Sequence, residues 1–216
     1  MYCCPHARFT AVFFAVVAVV SASSCVPPSS PPIATDPADD IRYPLPDFTL
    51  TERSGKTVTK ADLAGKVWVA SFVFTRCSGP CPAVTATIAR LQSELADEPN
   101  LRFVTFTVDP DRDDPQELAK YAARYRADPE KWLFLTGPEA EIHALMVDGF
   151  KLGVIKVPTG PPGEEFDHST RLAVVDKTGT VRGYADGIAA KWDEGEKLFE
   201  EGLKRLKSKI ADLVKE

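Results

Sequence analysis

Cys77-Ser78-Gly79-Pro80-Cys81-Pro82 is the stretch of the chain whose residue types and spacing most directly specify chemistry. Pro82 suits the first turn of a helix, where its missing N–H would have no partner anyway. Cys81 then stands at a helix N-terminus, where free backbone N–H groups and the helix dipole favour a thiolate. Arg76 places a positive charge beside Cys77. Both thiols are therefore expected to be more acidic than a free cysteine. Gly79 and Pro80 fit a tight loop that lets the two sulfurs converge. Converging sulfurs can close a disulfide or grip a soft metal. A purely structural disulfide around so short a loop would remove little unfolded-state entropy.

The flanking elements have to present that loop. Lys66–Phe74 is almost continuously apolar and β-branched, as a strand buried on both faces should be. Pro82–Leu95 follows with Val84, Ile88, Leu91 and Leu95 at helical spacing. Leu101–Val108 reads as a second strong strand. Pro115–Arg126 reads as a helix, with Asp113 or Asp114 available to cap it. Trp132–Leu135 is a short strand, Glu139–Met146 a short helix and Lys151–Val157 a further strand that leads into the Pro/Gly-rich loop Pro158–Gly163. Arg171–Val175 and Val181–Tyr184 form a hairpin, and Ala190–Val214 a long amphipathic helix with Leu198, Phe199, Leu203, Leu206, Ile210 and Leu213 on its core face. Phe48–Thr51 and Thr57–Thr59 flank Ser54-Gly55 as an extra N-terminal hairpin. This order predicts an α/β protein with a thioredoxin-like fold: a mixed central sheet flanked by helices. The cysteine loop then joins the first core strand to its helix, where α/β sheets build sites.

The third chemical group is a histidine. The chain has three, His6, His143 and His168. His143 falls in a helix without any motif and is expected to do nothing but pack. Asp167-His168-Ser169 follows the Pro/Gly loop and precedes a late strand. In a thioredoxin-like fold that loop faces the cysteines and carries a cis-proline. Residues 164–176 hold no proline and offer His168 instead. Two thiolates and one imidazole make a three-coordinate set. Thiolates favour Cu(I), and the added imidazole also suits Cu(II). Zinc would want a fourth ligand. Only two methionines occur, Met1 among them, which argues against a methionine-rich copper binder.

The other three of the five cysteines, Cys3, Cys4 and Cys25, lie in the first 25 residues. Residues 1–25 read as an export signal: Arg8, the apolar run Phe9–Val20 broken only by Thr10, then small residues up to Cys25. The apolar run is short for a membrane span. A small-residue run ending in cysteine resembles a bacterial lipoprotein box, although Ala22 stands where that box usually carries leucine. Lipidation at Cys25 is the expectation, with plain cleaved secretion and an uncleaved anchor as alternatives. All three put the domain outside the cytoplasm, and the first tethers it to a bacterial membrane. Residues 26–43, rich in proline and serine, read as an extended tether, and 44–216 as the folded domain. The formal net charge of -5 gives no basic footprint for nucleic acid.

Four motifs in order, Pro46-Asp47-Phe48-Thr49-Leu50, FTRCSGPCP at 74–82, VDPDRDDP at 108–115 and FDHSTRLAVVDKTG at 166–179, resemble the Sco/SenC family of thioredoxin-like copper-binding proteins. The resemblance spans about residues 44–205. It implies copper held by Cys77, Cys81 and His168, and a role in delivering copper to the subunit of cytochrome c oxidase that carries the dinuclear copper site. It places Asp109 in an acidic motif near the site, as polar support for the ligands. Arg76 and Ser78-Gly79-Pro80 depart from the pattern of many members, which leaves the ligands in place but bears on redox potential and partner surface.

Two functions fit these residues. A metallochaperone, which need not be an enzyme, would carry copper on reduced cysteines, since a disulfide cannot coordinate as two thiolates. A thiol–disulfide oxidoreductase would use Cys77 as attacking and Cys81 as resolving thiol to keep a target copper site reduced, with a separate thiol reductant to reset it. A peroxidase is disfavoured: Thr75 is present before Cys77, but the proline such a site wants is missing.

Overall fold

The computed structural model describes residues 41–216. The expected signal 1–25, with Cys25, and most of the tether 26–43 lie outside the described residues. Among the described residues no helix is long and apolar enough to cross a membrane.

The centre of the fold is β4 (Val67–Val73), buried along its whole length. It pairs in parallel with β5 (Leu101–Thr107), which pairs in parallel with β6 (Trp132–Thr136). The connections are α1 (Cys81–Glu94) and α2 (Pro115–Arg124). On its other side β4 pairs antiparallel with β9 (Arg171–Val175), then β10 (Thr180–Asp186) and the two-residue β1 (Tyr43–Pro44). The expected N-terminal hairpin, β2 (Thr49–Glu52) and β3 (Thr57–Thr59), joins the far edge beside β6. Gly55 takes φ +85° in its turn, a conformation glycine adopts without strain. The result is one mixed eight-stranded sheet.

Strand alternation divides the core. Trp68 and Phe72 share a face with Phe106 and Phe150, and Phe72 stacks on Phe106 at 5.2 Å between ring centroids. Each such ring contributes roughly 1.5–3 kcal/mol by burial. The opposite face holds a polar seam, where the Ser71 and Thr105 hydroxyls meet at 2.8 Å and the Trp132 indole N–H donates to Thr105. α3 (Glu139–Ala144) runs into a wider helical turn, Leu145–Gly149, which delivers Phe150 to the aromatic cluster. The terminal helix α4 (Gly195–Lys215) lies beside α1, joined by Arg90 to Glu200 and Lys207 to Glu94.

Two expectations need correction. α4 begins at Gly195, not Ala190, because Glu194 takes a left-handed φ of 67° in a turn closed from the Gly195 N–H to the Trp192 carbonyl. The residues after the Pro/Gly loop are also more ordered than a loop. Phe166–His168 (β8) pairs across that loop with Val154–Lys156 (β7), which lies within the expected strand 151–157, in a separate two-stranded hairpin with Val154 opposite His168.

Candidate metal and redox site

Cys77 leaves the C-terminal end of β4 in a turn closed by its own N–H to the Phe74 carbonyl at 3.2 Å. Cys81 opens α1, and Pro82 occupies its first turn as the sequence predicts. The Cys81 side chain is fully buried and Cys77 half-buried, and neither is in a disulfide. Behind Cys81, the Thr85 hydroxyl donates to the Cys81 carbonyl and meets the Tyr121 hydroxyl of α2 at 2.7 Å.

The β7–β8 hairpin brings His168 over this loop. Its Nε2 lies 3.4 Å from Cys81 Sγ. Its Nδ1 lies 3.0 Å from the Ser169 carbonyl, which can only accept, so Nδ1 carries the proton and Nε2 stands unprotonated beside the sulfur. The ring packs edge-on to Phe74 at 6.0 Å. Burial lowers the imidazole pKa from its ordinary value, against an opposing pull from the Ser169 carbonyl, so the ring is neutral at neutral pH. The hairpin is also pinned to the cysteine loop. Gly163, at φ +92°, accepts from the Ser78 N–H at 3.1 Å and the Ser78 hydroxyl at 3.4 Å. A β-carbon at Gly163 would stand 2.8 Å from the Ser78 hydroxyl and 2.9 Å from the Arg76 carbonyl, so only glycine permits this approach.

The two thiols are not alike, which corrects the expectation that both are acidic. Cys77 is lowered to about 6, chiefly because the Cys81 thiol hydrogen-bonds to its thiolate. Cys81 is raised, because it serves as that donor and is buried. Backbone hydrogen bonds from Phe74 and Cys81 favour the Cys81 thiolate, but its donation to Cys77 and its burial outweigh them. The sign for Cys77 follows: folding favours its thiolate, a contribution complete above the ordinary cysteine value of about 8.5 and lost as pH falls from there through about 6. Iodoacetamide should therefore modify Cys77 in the reduced folded protein with an inflection near pH 6. Cys81 should react far more slowly. In denaturant the two should react alike, with an inflection near the ordinary value of about 8.5. Mass spectrometry of the alkylated peptides checks this; equal folded-state rates would contradict it.

Asp109 is buried at the end of β5, where Arg112 binds its Oδ2 at 2.8 Å and its Oδ1 has no hydrogen-bond partner among the described residues. Its link to the site runs through Arg112, 3.9 Å from Glu165 in the loop of the β7–β8 hairpin. Asp114, not Asp113, caps α2 by accepting from the Glu117 N–H. His143 bonds the Val108 carbonyl at 2.9 Å and packs against Phe166, the packing role expected of it.

The structure thus brings Cys81 and His168 into contact, with Cys77 next in the same loop. No three His, Cys, Asp or Glu side chains among the described residues are gathered closely enough to hold a metal as they stand. Closing a three-donor set requires Cys77, Cys81 and His168 to draw closer together. Residues 38–198 match the SCO1/SenC family. The chain belongs to that family. The SCO1 protein homolog of Bacillus subtilis is 35% identical over 152 residues, which cover 69% of this chain and 77% of that one. A SCO1/SenC family lipoprotein from Bacillus anthracis superposes with a TM-score of 0.63 at 34% identity, covering 76% of this chain and 95% of that one. BsSco, a member of the Sco family of cytochrome c oxidase assembly proteins that contains a disulfide switch, gives 0.62 at 32% identity, covering 77% and 95%. Bradyrhizobium japonicum ScoI, solved with copper bound, gives 0.57 at 27% identity, covering 75% and 98%. The SCO1/SenC fold is thioredoxin-like, and the mixed sheet here agrees with the sequence expectation.

Proposed function

We propose that the folded domain carries copper outside the cytoplasm on Cys77, Cys81 and His168 and passes it to the copper centre of cytochrome c oxidase. The observation that carries this reading is the unprotonated His168 Nε2, held 3.4 Å from Cys81 Sγ by a hairpin pinned to the cysteine loop. The copper-bound ScoI and the oxidase-assembly role of BsSco support the same reading.

The donors suit copper as cargo. Cys77 offers a thiolate at neutral pH, whereas Cys81 must give up its proton on binding. Two thiolates hold Cu(I), and the imidazole allows Cu(II). Half-buried Cys77 is the ligand an incoming acceptor thiolate would displace first. Membrane attachment through a lipid on Cys25 would set this site at the end of a proline-rich tether. The lipoprotein from Bacillus anthracis agrees with that arrangement.

A second reading draws on the asymmetry of the thiols. Cys77 as thiolate could attack a target disulfide and form a mixed disulfide. Cys81 would then lose its proton and displace the target, leaving a reduced target dithiol and a Cys77–Cys81 disulfide for a separate reductant. One experiment separates the two. Reduced protein loaded with one copper equivalent is mixed with an apo oxidase domain whose dinuclear-site cysteines are already reduced. Copper appearing in the acceptor, with the Cys77 and Cys81 thiols still free, supports the chaperone. Copper retained by the donor, together with reduction of an oxidised acceptor in a parallel mixture, supports the oxidoreductase.

A further inference from the structure

Neither the metal nor the redox chemistry above uses Asp113, yet it is fully buried. Its Oδ2 accepts from the Thr75 backbone N–H at 3.0 Å and from the Thr107 hydroxyl at 2.5 Å. Its Oδ1 accepts from the Thr75 hydroxyl at 2.5 Å. The Asp113 N–H in turn donates to the Asp109 carbonyl at 2.9 Å. Among the described residues no cation pairs with this carboxylate, and burial raises its pKa against the pull of the threonine donors.

A buried carboxylate is costly to desolvate and is kept only where its acceptors are satisfied. Here two of three donors come from one residue. Gripping both the N–H and the hydroxyl of Thr75 fixes that residue's backbone and its side-chain rotamer together. Thr75 lies within the Phe74–Cys77 turn, two residues before Cys77, and Thr107 is the last residue of β5. The carboxylate therefore ties the entrance of the cysteine loop to the neighbouring strand. On its far side the loop is held through Ser78 to Gly163. Gly79 and Pro80 lie beyond both anchors.

We propose that Asp113 is a positioning residue for Cys77, acting through Thr75 to hold the sulfur where it can meet Cys81 and His168. The proposal rests on the reading of Cys77 as ligand or attacking thiol. Two thiols fixed near each other have a high effective concentration, and loosening one anchor lowers it. The same loosening weakens a three-donor grip on copper.

The test uses the reduced full chain and four variants. Thr75→Val keeps the β-branched shape and the N–H but loses the hydroxyl. Thr75→Ser keeps the hydroxyl. Asp113→Asn replaces one acceptor with a donor. Ser71→Ala removes the buried bond to Thr105 in the same sheet, away from the loop, as a stability control. The readouts are the equilibrium constant of the Cys77–Cys81 disulfide against glutathione, copper affinity and Tm. Thr75→Val and Asp113→Asn should each lower both the disulfide constant and copper affinity about 10-fold. Thr75→Ser should restore both, and Ser71→Ala should lower Tm alone. If Thr75→Val and Asp113→Asn lower only Tm, as Ser71→Ala does, or raise the disulfide constant, the proposal is overturned. Should Asp113→Asn fail to fold, the Thr75 pair decides. Should the unmodified protein bind no copper, the metal reading falls and the disulfide constant alone decides this proposal.

Discussion

His168→Ala should lower copper affinity by more than about 100-fold, since a change even to a residue that merely orients a ligand costs 10–100-fold. The loss should be greater for Cu(II) than for Cu(I), because two thiolates can still hold the softer ion. Thiol chemistry should survive. The ring is partly buried beside Phe74 and bonded only through Nδ1 to the Ser169 carbonyl apart from its approach to Cys81. Its removal should therefore cost about 1–2 kcal/mol of stability. Competition titrations with Cu(I) and Cu(II) chelators measure the first effect, and the rate of disulfide reduction by glutathione measures the second. Parallel loss of metal binding and thiol exchange would mean that His168 supports the loop and is not a ligand.

Cys81→Ala should have two separable consequences. Copper binding should fall by at least as much as in His168→Ala, because a thiolate donor is gone. Cys77 should also lose its acidity. The largest cause of its lowered pKa is the hydrogen bond from the Cys81 thiol, so its alkylation inflection should rise from about 6 toward the ordinary cysteine value. At pH 7 the thiolate fraction, and with it the alkylation rate, should then drop several-fold. Alkylation across pH 5–9 reads this directly. An inflection that stayed near 6 would transfer the acidity of Cys77 to its other neighbours, the Cys81 and Gly79 backbone groups. Copper affinity unchanged in Cys81→Ala would remove that sulfur from the ligand set.

Much of the fold was legible because the strongest strands announce themselves locally. Lys66–Phe74 and Leu101–Val108 are so continuously apolar that only burial on both faces explains them, and β4 and β5 form the centre of the sheet. Pro82 likewise marked the start of α1. Of the β7–β8 hairpin only β7 was legible, within the expected strand 151–157; β8 was not, since it is three residues long and carries Asp167 and His168. The start of α4 was misread because its amphipathic pattern extends back into a turn that Glu194 breaks.

At the site, residue types and spacing singled out the two cysteines and the histidine that the fold brings to one end of the sheet. The acidity of Cys81 was misjudged because a helix N-terminus is visible in sequence, whereas burial behind α2 is a property of the assembled core. Asp113 was read as a candidate cap because it sits just before Pro115. The only local hint of its different role is that Asp113 and Asp114 are adjacent and a helix needs one N-cap. Thr75 and Thr107, its partners, are 32 residues apart and meet only because β4 and β5 run in parallel.

The proposed copper site joins Cys77, Cys81 and His168. Titrating the fully reduced protein with copper and recording X-ray absorption at the copper edge tests it most directly. One copper per chain is expected, with two sulfur neighbours at roughly 2.3 Å and one nitrogen at roughly 2.0 Å, taking zinc-like bond lengths as a guide. Binding without two sulfurs, or a readily cycled Cys77–Cys81 disulfide in a chain that takes up no copper, would contradict it.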